Sequence, residues 1–511
     1  MPEAVKRVDG PNNTVLMNTP FGGIDKWKLK KMEEKENIKD SFSLLPEEGR
    51  DSVVYFIGIG GIGMSAVARY FQSKGAIVSG YDKTETALTK ELQESGMNVH
   101  YVEDTEQIPK NADLVIYTPA IPKENKELVY YKENGYRVLK RSDVLQQISE
   151  SSFNICIAGT HGKTTITAMT AHLLRDSGFG CNAFLGGIAV NYGTNFWSSE
   201  KNVCVIEADE YDRSFLKLSP DIAIITAMDA DHLDIYGTAA AMEQAFIEFS
   251  RKVKPGGLLL CKFGLAKEKE LATGTGGKAV RRMTYSLQND SADVFATNIR
   301  IENGSYEFDV IMGEKKIEKI QLHMGGMHNV ENVVAAIAVA SSLEIDSEKI
   351  KTAVANFKGI KRRFEYIIKN DRLVYIDDYA HHPEELKALI NGATSLFRQR
   401  RCTVIFQPHL YTRTRDLADG FAAALDMADE VVLLPIYPAR ELPVAGVSSG
   451  MILDKMKLKN KKVMDETELM ARLGKDYVKS INKEFGEILI TAGAGDIDAM
   501  VEPIKNILKT T

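Results

Sequence analysis

Two glycine-rich loops of different chemistry constrain this chain more than any other feature of its sequence. The first, Gly58-Ile59-Gly60-Gly61-Ile62-Gly63, directly follows the apolar run Val53–Ile57. The second, Gly159-Thr160-His161-Gly162-Lys163-Thr164-Thr165, directly follows the apolar run Phe153–Ala158. Each loop stands where a strand should end and a helix begin, and there free backbone N–H groups and the helix dipole favour an anion. The sequence therefore predicts two phosphate sites, one for a diphosphate-bearing molecule and one for a nucleoside triphosphate.

The composition is that of a globular protein with several domains. The 511 residues are 44% apolar and 26% charged, with a net charge of -6, and at about 150 residues per domain the length suggests three domains. This charge gives no sign of nucleic-acid or anionic-membrane binding. No apolar run approaches the roughly 18 residues that span a bilayer, and no signal-peptide pattern opens the chain, so a cytoplasmic protein without membrane insertion is expected. The cysteines form no CxxC pair and are expected to be reduced thiols.

The order of predicted strands and helices indicates an α/β fold with three domains. Residues 51–150 alternate strand and helix, which predicts a Rossmann-like domain with a parallel sheet. Residues 151–358 restart this alternation and change at 284–323 to short strands separated by turns, which predicts a central P-loop ATPase domain with a parallel sheet and a small antiparallel sheet. Residues 359–511 are predicted to form a second Rossmann-like α/β domain. Residues 1–50, which include a stretch rich in Lys and Glu, are predicted to be a flexible extension.

The first loop has the Gly-x-Gly-x-x-Gly pattern of dinucleotide-binding domains. Its glycines permit a tight turn, close approach of the backbone to a pyrophosphate and tight packing of the following helix. Asp82 stands roughly 20 residues further on, at the end of the second predicted strand, where a ribose hydroxyl is usually bound. On this motif alone NAD binding is the simplest interpretation, and a structural glycine turn or another nucleotide diphosphate are the alternatives.

The second loop contains Gly162-Lys163-Thr164, the core of a P-loop. In such loops backbone amides surround the phosphates, the lysine reaches the terminal phosphates and a Ser or Thr hydroxyl holds Mg²⁺. The standard motif places a glycine five residues before the second glycine, and this chain has Ile157 there. The loop is therefore shorter than the standard one, with Gly159 as its first glycine.

Acidic residues follow the next strands of the central domain, where a magnesium ion would need them. Glu207-Ala208-Asp209-Glu210 follows the strand predicted at 203–206, and Asp231-His232-Leu233-Asp234 follows the strand predicted at 222–226. Strand ends of an open parallel sheet face the ligand crevice, and Mg²⁺ prefers one or two carboxylates plus substrate oxygens. Each residue taken alone has a plainer explanation as a surface charge, a helix cap or a structural histidine. Together, downstream of a P-loop, they predict a metal site.

These stretches resemble the ATP-dependent Mur ligases of peptidoglycan synthesis. The resemblance covers about residues 53–500, and it is closest to the members that join L-alanine to UDP-N-acetylmuramate. It implies three domains, which bind the UDP-sugar, ATP and the amino acid in that order along the chain. Further stretches that carry the resemblance are Gly58-Ile59-Gly60-Gly61-Ile62-Gly63-Met64-Ser65, His328-Asn329, Arg362-Arg363-Phe364, Asp377-Asp378-Tyr379-Ala380-His381-His382-Pro383, Gln407-Pro408-His409-Leu410-Tyr411-Thr412-Arg413-Thr414 and Gly493-Ala494-Gly495-Asp496.

The resemblance also implies a role for each candidate residue in binding the two nucleotides. Gly58, Gly60, Gly61 and Gly63 would hold the diphosphate of UDP-N-acetylmuramate instead of NAD, and Asp82 would lie near the uridine. The residues implied to contact ATP are Gly159, Thr160, His161, Gly162, Lys163, Thr164, Thr165, His328, Asn329, Asn332, Arg363 and Asp377.

For the metal and the amino acid, the family pattern implies two further groups of residues. The metal ligands for two expected Mg²⁺ ions are Thr164, Glu207 and His232, and the implied catalytic residues are Lys163, Glu207 and His232. The residues implied to surround L-alanine are Tyr379, His409 and Arg413. Of these, Arg413 would pair with the carboxylate of the amino acid.

Two positions depart from the family's pattern. The family often has Arg between the His and Tyr of its Pro-His-Arg-Tyr stretch, and here that residue is Leu410, so carboxylate recognition would depend more on Arg413. Several sister ligases carry a carbamylated lysine downstream of the metal-binding histidine. That position is Ile247 here, and no lysine lies between residues 233 and 250. We therefore expect no lysine carbamylation, which argues against the sister ligases that add later residues.

The implied chemistry agrees with the residues. A carboxylate is a poor acyl donor at neutral pH, so a ligase would first transfer a phosphoryl group from ATP to it, with Lys163 and Mg²⁺ offsetting the charge. A neutral amine would then attack the acyl phosphate. The alternatives that remain are an NAD(P)-dependent oxidoreductase, a related ligase that reattaches recycled murein tripeptide to the UDP-sugar, and a non-enzymatic nucleotide-sensing protein. The oxidoreductase does not explain Lys163 or the acidic strand ends, and the sequence leaves a monomer and a homodimer equally open.

Overall fold

The chain is built from three β-sheets that follow one another in sequence, each with its own helices. A computed structural model describes residues 52–211, 213–229, 233–271, 280–302, 304–439 and 441–509. The predicted N-terminal extension lies outside the described residues. Within the described ranges, no helix is long and apolar enough to cross a membrane.

The first sheet has five parallel strands and confirms the predicted Rossmann-like domain. Its strands are β1 (Val53–Ile57), β2 (Ile77–Tyr81), β3 (Asn98–His100), β4 (Leu114–Tyr117) and β5 (Val138–Lys140), and its helices are α1 (Ile62–Ser73), α2 (Ala87–Glu94), α3 (Lys126–Glu133) and α4 (Arg141–Ser151). The strand order is β3-β2-β1-β4-β5. The direction of strand addition therefore reverses at β1, and such a reversal opens a ligand crevice at the carboxyl end of the strand. The first glycine loop follows β1 at this point.

The second sheet has ten strands in the order β15-β14-β13-β12-β11-β10-β6-β9-β7-β8. Its strands are β6 (Phe153–Ala158), β7 (Asn182–Ala189), β8 (Thr194–Trp197), β9 (Val203–Glu207), β10 (Ile222–Ile225), β11 (Leu258–Lys262), β12 (Arg281–Ser286), β13 (Val294–Glu302), β14 (Ser305–Met312) and β15 (Lys315–Leu322). Its helices are α5 (Lys163–Asp176), α6 (Leu233–Tyr236), α7 (Ala239–Ser250), α8 (Met327–Ser342) and α9 (Ser347–Asn356).

Parallel and antiparallel strands of this second sheet are continuous. The seven strands from β7 to β13 in sheet order pair in parallel, whereas β8, β14 and β15 are antiparallel to their neighbours. The predicted combination of parallel and antiparallel strands is confirmed. The antiparallel strands extend the parallel sheet through a short pairing of Tyr285 and Ser286 with Val294 and Phe295.

The third sheet has six strands in the order β16-β17-β21-β18-β19-β20, parallel except for the edge strand β16. Its strands are β16 (Glu365–Lys369), β17 (Leu373–Asp378), β18 (Arg401–Phe406), β19 (Glu430–Leu433), β20 (Lys461–Val463) and β21 (Glu487–Ala492). Its helices are α10 (Pro383–Leu396), α11 (Tyr411–Asp416), α12 (Ala418–Leu425), α13 (Ser449–Lys455), α14 (Glu466–Arg472), α15 (Val478–Ser480) and α16 (Val501–Leu508). The predicted second Rossmann-like domain is thus confirmed, and the domain limits at residues 50, 150 and 358 stay predictions.

The first domain packs tightly on the second through α1 and the β7–β8 hairpin. The ring of Tyr70 lies 5.3 Å from that of Phe184 and 6.0 Å from that of Phe196, spacings typical of attractive aromatic pairs. The buried Asn195 amide donates to the backbone oxygen of Ile62 (2.5 Å) and to the Ser65 hydroxyl (2.9 Å). Because these contacts involve the helix that follows the first glycine loop, they fix that loop relative to the second sheet.

The third domain joins the second through a short pairing of the connecting segment with β7. Ile360 forms an antiparallel bridge with Ala189, and Lys361 donates its backbone N–H to the oxygen of Ile188 (2.9 Å). The buried ring of Phe364 lies directly over Gly325, where any side chain would overlap the ring. The connection therefore runs along the P-loop side of the second sheet.

Candidate active site

One cleft of about 760 Å³ contains parts of both glycine loops. It lies at the carboxyl ends of β1 and β6, where a parallel sheet is expected to bind ligands. All three domains contribute to its walls. Among the residues that line it are Gly58, Gly61, Gly63, Asp82, Arg141, Thr164, Glu207, Asp209 and Arg363.

The first loop is held in shape by Asp82. One carboxylate oxygen accepts the backbone N–H of Gly60 (2.8 Å), and the other accepts that of Thr84 (3.1 Å). Gly58 has a φ of +88°, and a Cβ there would lie 2.7 Å from Thr118 Cγ2, so only glycine fits this turn. Asp82 thus orders the loop, and its predicted proximity to a uridine stays a prediction.

Gly61 offers a clean test of this loop. Its φ is −63°, which any residue adopts, and a Cβ would meet nothing closer than 3.6 Å. Gly61→Val should therefore fold, while its side chain crowds the cleft. If the first loop binds the UDP-sugar that the resemblance implies, KM for that ligand should rise about tenfold with little change in KM for ATP. Steady-state kinetics with each substrate varied in turn measure this. Equal rises in both KM values would contradict separate sites for the two ligands.

Two other glycines serve as controls for that substitution. Gly60→Val should instead disturb the loop, since its Cβ would lie 2.8 Å from Asp82 Oδ2 and 2.6 Å from Thr89 Cγ2. Gly474 lies in the third domain, and a Cβ there has 3.9 Å of clearance from its nearest neighbour, Ile507. Gly474→Val should leave both KM values at the wild-type level.

The second loop also depends on its glycines. Gly159 has a φ of +135°, and a Cβ there would lie 2.8 Å from the backbone nitrogen of Ala227. Gly162, at φ +78°, is the N-cap of α5, and a Cβ there would lie 3.0 Å from Asn332 Oδ1. Thr160 donates its backbone N–H to the oxygen of Ala227 (3.2 Å). The segment after β10 therefore packs against the loop and stabilises it. The loop leads directly into the 14-residue helix α5, whose N-terminus provides the anion site.

Lys163 contacts the buried Glu210, and Thr164 contacts the partly buried Glu207. The Lys163 ammonium donates to Glu210 Oε1 (2.6 Å) and to the oxygen of Gly159 (2.8 Å). The Thr164 hydroxyl donates to Glu207 Oε1 (2.9 Å), and the backbone N–H of Gly186 donates to the other oxygen (3.0 Å). Burial raises the pKa of the Glu207 carboxyl, and Lys163 opposes this rise. A cation beside Glu207 would therefore be favoured.

The oxygens of Thr164 and Glu207 fit a magnesium ion. A hydroxyl and a carboxylate are hard oxygen donors, and Mg²⁺ commonly takes few protein ligands besides substrate oxygens. His232, the third predicted ligand, lies outside the described residues, as does Asp231. Elsewhere in the described chain, no three His, Cys, Asp or Glu side chains come together in a metal-like cluster. The two-ion site therefore stays a prediction.

The remaining candidates for ATP contact surround the P-loop unevenly. Asn332 donates to Asn329 Oδ1 (3.2 Å), and the buried Asn329 amide donates to the oxygen of Gly325 (2.6 Å). These residues form the first turns of α8, directly beside Gly162. His328 is exposed at the same helix start. Thr165 is buried within α5, and the exposed His161 lies 3.4 Å from Asp229.

Arg363 and Asp377 take different positions. Arg363 lines the cleft, between two residues with left-handed backbones, Arg362 (φ 60°) and Phe364 (φ 49°). Asp377 is buried away from the cleft, 3.3 Å from Arg362 Nε, and accepts the Thr491 hydroxyl at 2.6 Å. A left-handed backbone at a residue other than glycine, as at Arg362 and Phe364, is strained, and strained residues cluster at functional sites. The structure thus brings Arg363, but not Asp377, to the P-loop.

The strained turn at 362–364 is stabilised by Asp378, which the sequence did not single out. Its carboxylate accepts the backbone N–H groups of Phe364 (2.6 Å) and Ala380 (2.7 Å). Burial raises the pKa of Asp378 to about 6. The segment that carries Arg363 into the cleft is therefore fixed by a carboxylate of the third domain.

The candidates for amino-acid binding lie together around His381, which the sequence analysis did not assign to this group. The His381 ring lies 5.2 Å from the ring of Tyr379 and 6.3 Å from that of His409. Arg413 Nη1 donates to His409 Nδ1 (3.4 Å). Partial burial and the nearby Arg413 lower the pKa of His409, so its ring is neutral near pH 7. Leu410, at φ 68°, precedes α11 in a conformation unusual for leucine.

Arg141 lines the cleft and was not assigned a role by the sequence analysis. It opens α4, and its guanidinium packs against Gly63, where any side chain would overlap it. Its Nη2 lies 3.9 Å from Asp209 Oδ2. The sequence could have indicated Arg141 as a cleft residue, because it is a basic residue directly after the last strand of a Rossmann-like domain and strand ends face the crevice. Ile247, at the position of the family's modified lysine, is buried in α7.

The fold and the cleft together define a class: three-domain α/β enzymes in which a P-loop and a diphosphate-type glycine loop face one reaction space. Three family profiles match successive parts of this chain. They are described as "Mur ligase family, catalytic domain" (residues 53–152), "Mur ligase middle domain" (157–340) and "Mur ligase, glutamate ligase domain" (362–495). The chain belongs to the Mur ligase family.

Similar proteins agree on one branch of that family. The chain is 47% identical to a UDP-N-acetylmuramate–L-alanine ligase of Phocaeicola vulgatus, over 89% of this chain and 98% of that protein. It is 46% identical to the enzyme of the same name from Flavobacterium johnsoniae, over 89% and 97%. Among solved structures, it resembles the UDP-N-acetylmuramate-alanine ligase of Thermotoga maritima with a TM-score of 0.74 at 29% identity, covering 89% of this chain and 99% of that one. A murein peptide ligase from Psychrobacter arcticus has the same fold, with a TM-score of 0.60 at 22% identity over 90% and 99%.

Proposed function

We propose that this chain is an ATP-dependent ligase that joins L-alanine to the lactyl carboxylate of UDP-N-acetylmuramate during synthesis of peptidoglycan precursors. The observation that carries the proposal is the single cleft lined by the diphosphate-type loop, the P-loop and Arg363 of the third domain. An enzyme that phosphorylates the carboxylate of a UDP-sugar must bind the diphosphate of that sugar and the triphosphate of ATP close together, so that the γ-phosphate of ATP reaches the carboxylate. ATP and UDP-sugars are cytoplasmic metabolites, so we also propose that the enzyme works in the cytoplasm.

The first step transfers the γ-phosphoryl group of ATP to the carboxylate. Lys163 stands at the N-terminus of α5, and Arg363 lines the same cleft as the adjacent Thr164. There both side chains and the helix N-terminus would stabilise the charge on the transferring group. When bound at Thr164 and Glu207, Mg²⁺ would add to this stabilisation. The first loop would hold the UDP-sugar so that its carboxylate lies in line with the phosphoryl group, and most of the acceleration would come from this alignment.

The second step is the attack of the alanine amine on the acyl phosphate. Arg413 would pair with the carboxylate of alanine, and the neutral ring of His409 could accept a proton from the incoming ammonium. A tetrahedral intermediate then collapses to the amide and releases phosphate. Leu410 removes one cation that the family often has at this point, so binding of the amino acid depends on Arg413.

The nature of the acceptor separates this proposal from the related ligase that recycles murein tripeptide. The relatives named for alanine addition share 43% to 47% identity with the chain, whereas the likeness to a murein peptide ligase extends to the fold alone. Ile247 in place of a modifiable lysine also favours the alanine branch over ligases that add later residues.

The proposal is tested by phosphate release in the presence of ATP, Mg²⁺ and UDP-N-acetylmuramate with one acceptor at a time. L-Alanine should give the highest kcat/KM, and the tripeptide L-alanyl-γ-D-glutamyl-meso-diaminopimelate should give less than about a hundredth of that value. Preference for the tripeptide would support the recycling ligase instead. Saturable binding of NADH at the first loop, with no effect of UDP-sugars, would contradict both ligases.

A further inference from the structure

The ammonium of the P-loop lysine is held by a buried carboxylate. Lys163 Nζ lies 2.6 Å from Glu210 Oε1, and the two side chains are 15% and 1% exposed. The sequence grouped Glu210 with Glu207 in a metal-binding stretch. In the structure only Glu207 contacts Thr164, and Glu210 faces Lys163 instead. The two acids therefore serve different partners.

Glu210 is itself firmly anchored. Its backbone oxygen accepts the Tyr236 hydroxyl (2.7 Å) and the backbone N–H of Arg213 (3.0 Å). Both Glu210 and Tyr236 are buried, and Glu210 follows β9 by only a few residues. The carboxylate is thus a fixed point, whereas Lys163 has a flexible stem of four carbons.

We propose that Glu210 is a positioning residue that fixes the ammonium of Lys163 at the P-loop, so that Lys163 meets the terminal phosphates of ATP in one orientation. Without this partner, Lys163 would sample several rotamers, and part of the stabilisation of the transferring phosphoryl group would be lost to reordering. The inference rests on the proposed ligase function and assigns to Glu210 a role other than metal binding.

This role has a kinetic signature that general damage to the fold would not produce. A carboxylate cannot attract a triphosphate, so removing its charge should not weaken binding of ATP. Misplacement of Lys163 should instead slow the chemical step. Glu210→Gln, which keeps the shape and the hydrogen-bond acceptor, should lower kcat about tenfold or more while KM for ATP stays level or falls. Glu210→Asp, which keeps the charge, should recover part of kcat.

A matched control lies at the opposite end of the same sheet. Asp221 is also a buried acid bonded to a lysine, at 2.8 Å from Lys254 Nζ, and it lies outside the cleft. Asp221→Asn should keep the wild-type kcat at a temperature where both variants are folded by circular dichroism. A Glu210→Gln variant with wild-type kcat, or with KM for ATP raised about tenfold, would overturn the proposal.

A double-mutant cycle tests whether Glu210 acts through Lys163. In single-turnover measurements, Glu210→Gln should change the rate less than about twofold once Lys163 is already alanine. An equal loss in both backgrounds would overturn the proposal. If Glu210→Gln does not fold, the same cycle with Glu210→Asp decides the question.

Binding of the non-hydrolysable analogue AMP-PNP separates this inference from the proposed function, because it needs no turnover. Glu210→Gln should bind AMP-PNP at least as tightly as the wild-type chain does, and binding weaker by more than about threefold would contradict the positioning role. A wild-type chain that binds AMP-PNP but makes no alanyl product would contradict the ligase function alone.

Discussion

Replacing Lys163 by alanine should lower turnover by about a thousandfold while the protein remains folded. The Lys163 ammonium lies at the mouth of the P-loop, bonded to Glu210 and to the oxygen of Gly159, where it would contact the terminal phosphates as they gain charge. Removal of one such preorganised donor costs about 10²- to 10³-fold in other enzymes, and loss of a full charge belongs at the upper end. Phosphate release under saturating substrates measures the effect.

The control for this substitution is another half-buried lysine of the same domain. Lys254→Ala removes an ammonium bonded to Asp221 at the far end of the sheet, and it should leave kcat near the wild-type value. Thermal unfolding of both variants checks the fold. A folded Lys163→Ala enzyme with nearly normal turnover would show that the second loop is not the ATP site.

Glu207→Ala should lower activity by about a hundredfold at ordinary Mg²⁺ concentrations, and excess Mg²⁺ should restore it only in part. Glu207 is partly buried, accepts the Thr164 hydroxyl at 2.9 Å and has no side-chain cation bonded to it within the described residues. Loss of a carboxylate ligand weakens Mg²⁺ binding, and higher Mg²⁺ compensates by mass action without restoring the geometry. A titration of activity against Mg²⁺ gives both effects.

A buried glutamate outside the cleft provides the comparison. Glu487 lies at the amino end of β21 in the third sheet and is buried. Glu487→Ala removes a similar side chain, and its Mg²⁺ dependence should match that of the wild-type enzyme. If Glu207→Ala shows an unchanged Mg²⁺ dependence as well, Glu207 is not a metal ligand.

The strands that carry the two loops could be predicted from sequence because each is a continuous apolar run followed by glycines. Strands β1 and β6 begin and end at the predicted residues, since strands buried on both faces consist almost entirely of apolar residues. The β7–β8 hairpin was not predicted. Its strand β7 contains Gly186 and Gly187, and two adjacent glycines in a sequence suggest a loop. In the structure, glycine is needed at position 186 because a side chain there would overlap the Glu207 carboxylate.

The first turns of helix α8 could not be recognised from the sequence because polar residues of the candidate site interrupt its apolar pattern. The continuous run of small and apolar residues that indicates a packed helix covers only residues 333–342, whereas α8 begins at Met327. Its first turns carry His328, Asn329 and Asn332, polar residues that interrupt the apolar pattern because they lie beside the P-loop. The periodicity that identifies a helix was lost where the helix meets the candidate site.

Within the site, the sequence identified the loop residues from their own motifs but did not assign roles to several residues of other elements. Lys163 and Thr164 follow from the P-loop pattern alone. Arg141 lines the cleft from a helix start, Asp378 fixes the turn that carries Arg363, and no local spacing links either residue to the loops. Asp377, which the resemblance implies to contact ATP, is paired with Arg362 in the structure, and its contact with ATP stays a prediction.

Transfer of oxygen from the substrate carboxylate to phosphate tests the central claim most directly. If ATP activates the lactyl carboxylate, a carboxylate oxygen bonds to the γ-phosphorus and leaves with it when the alanine amine attacks. UDP-N-acetylmuramate labelled with ¹⁸O in both carboxylate oxygens should therefore give inorganic phosphate with one ¹⁸O per turnover, and the other label should remain in the new amide. Unlabelled phosphate released in step with the amide would contradict the acyl-phosphate route and, with it, the joint use of the two loops in one reaction.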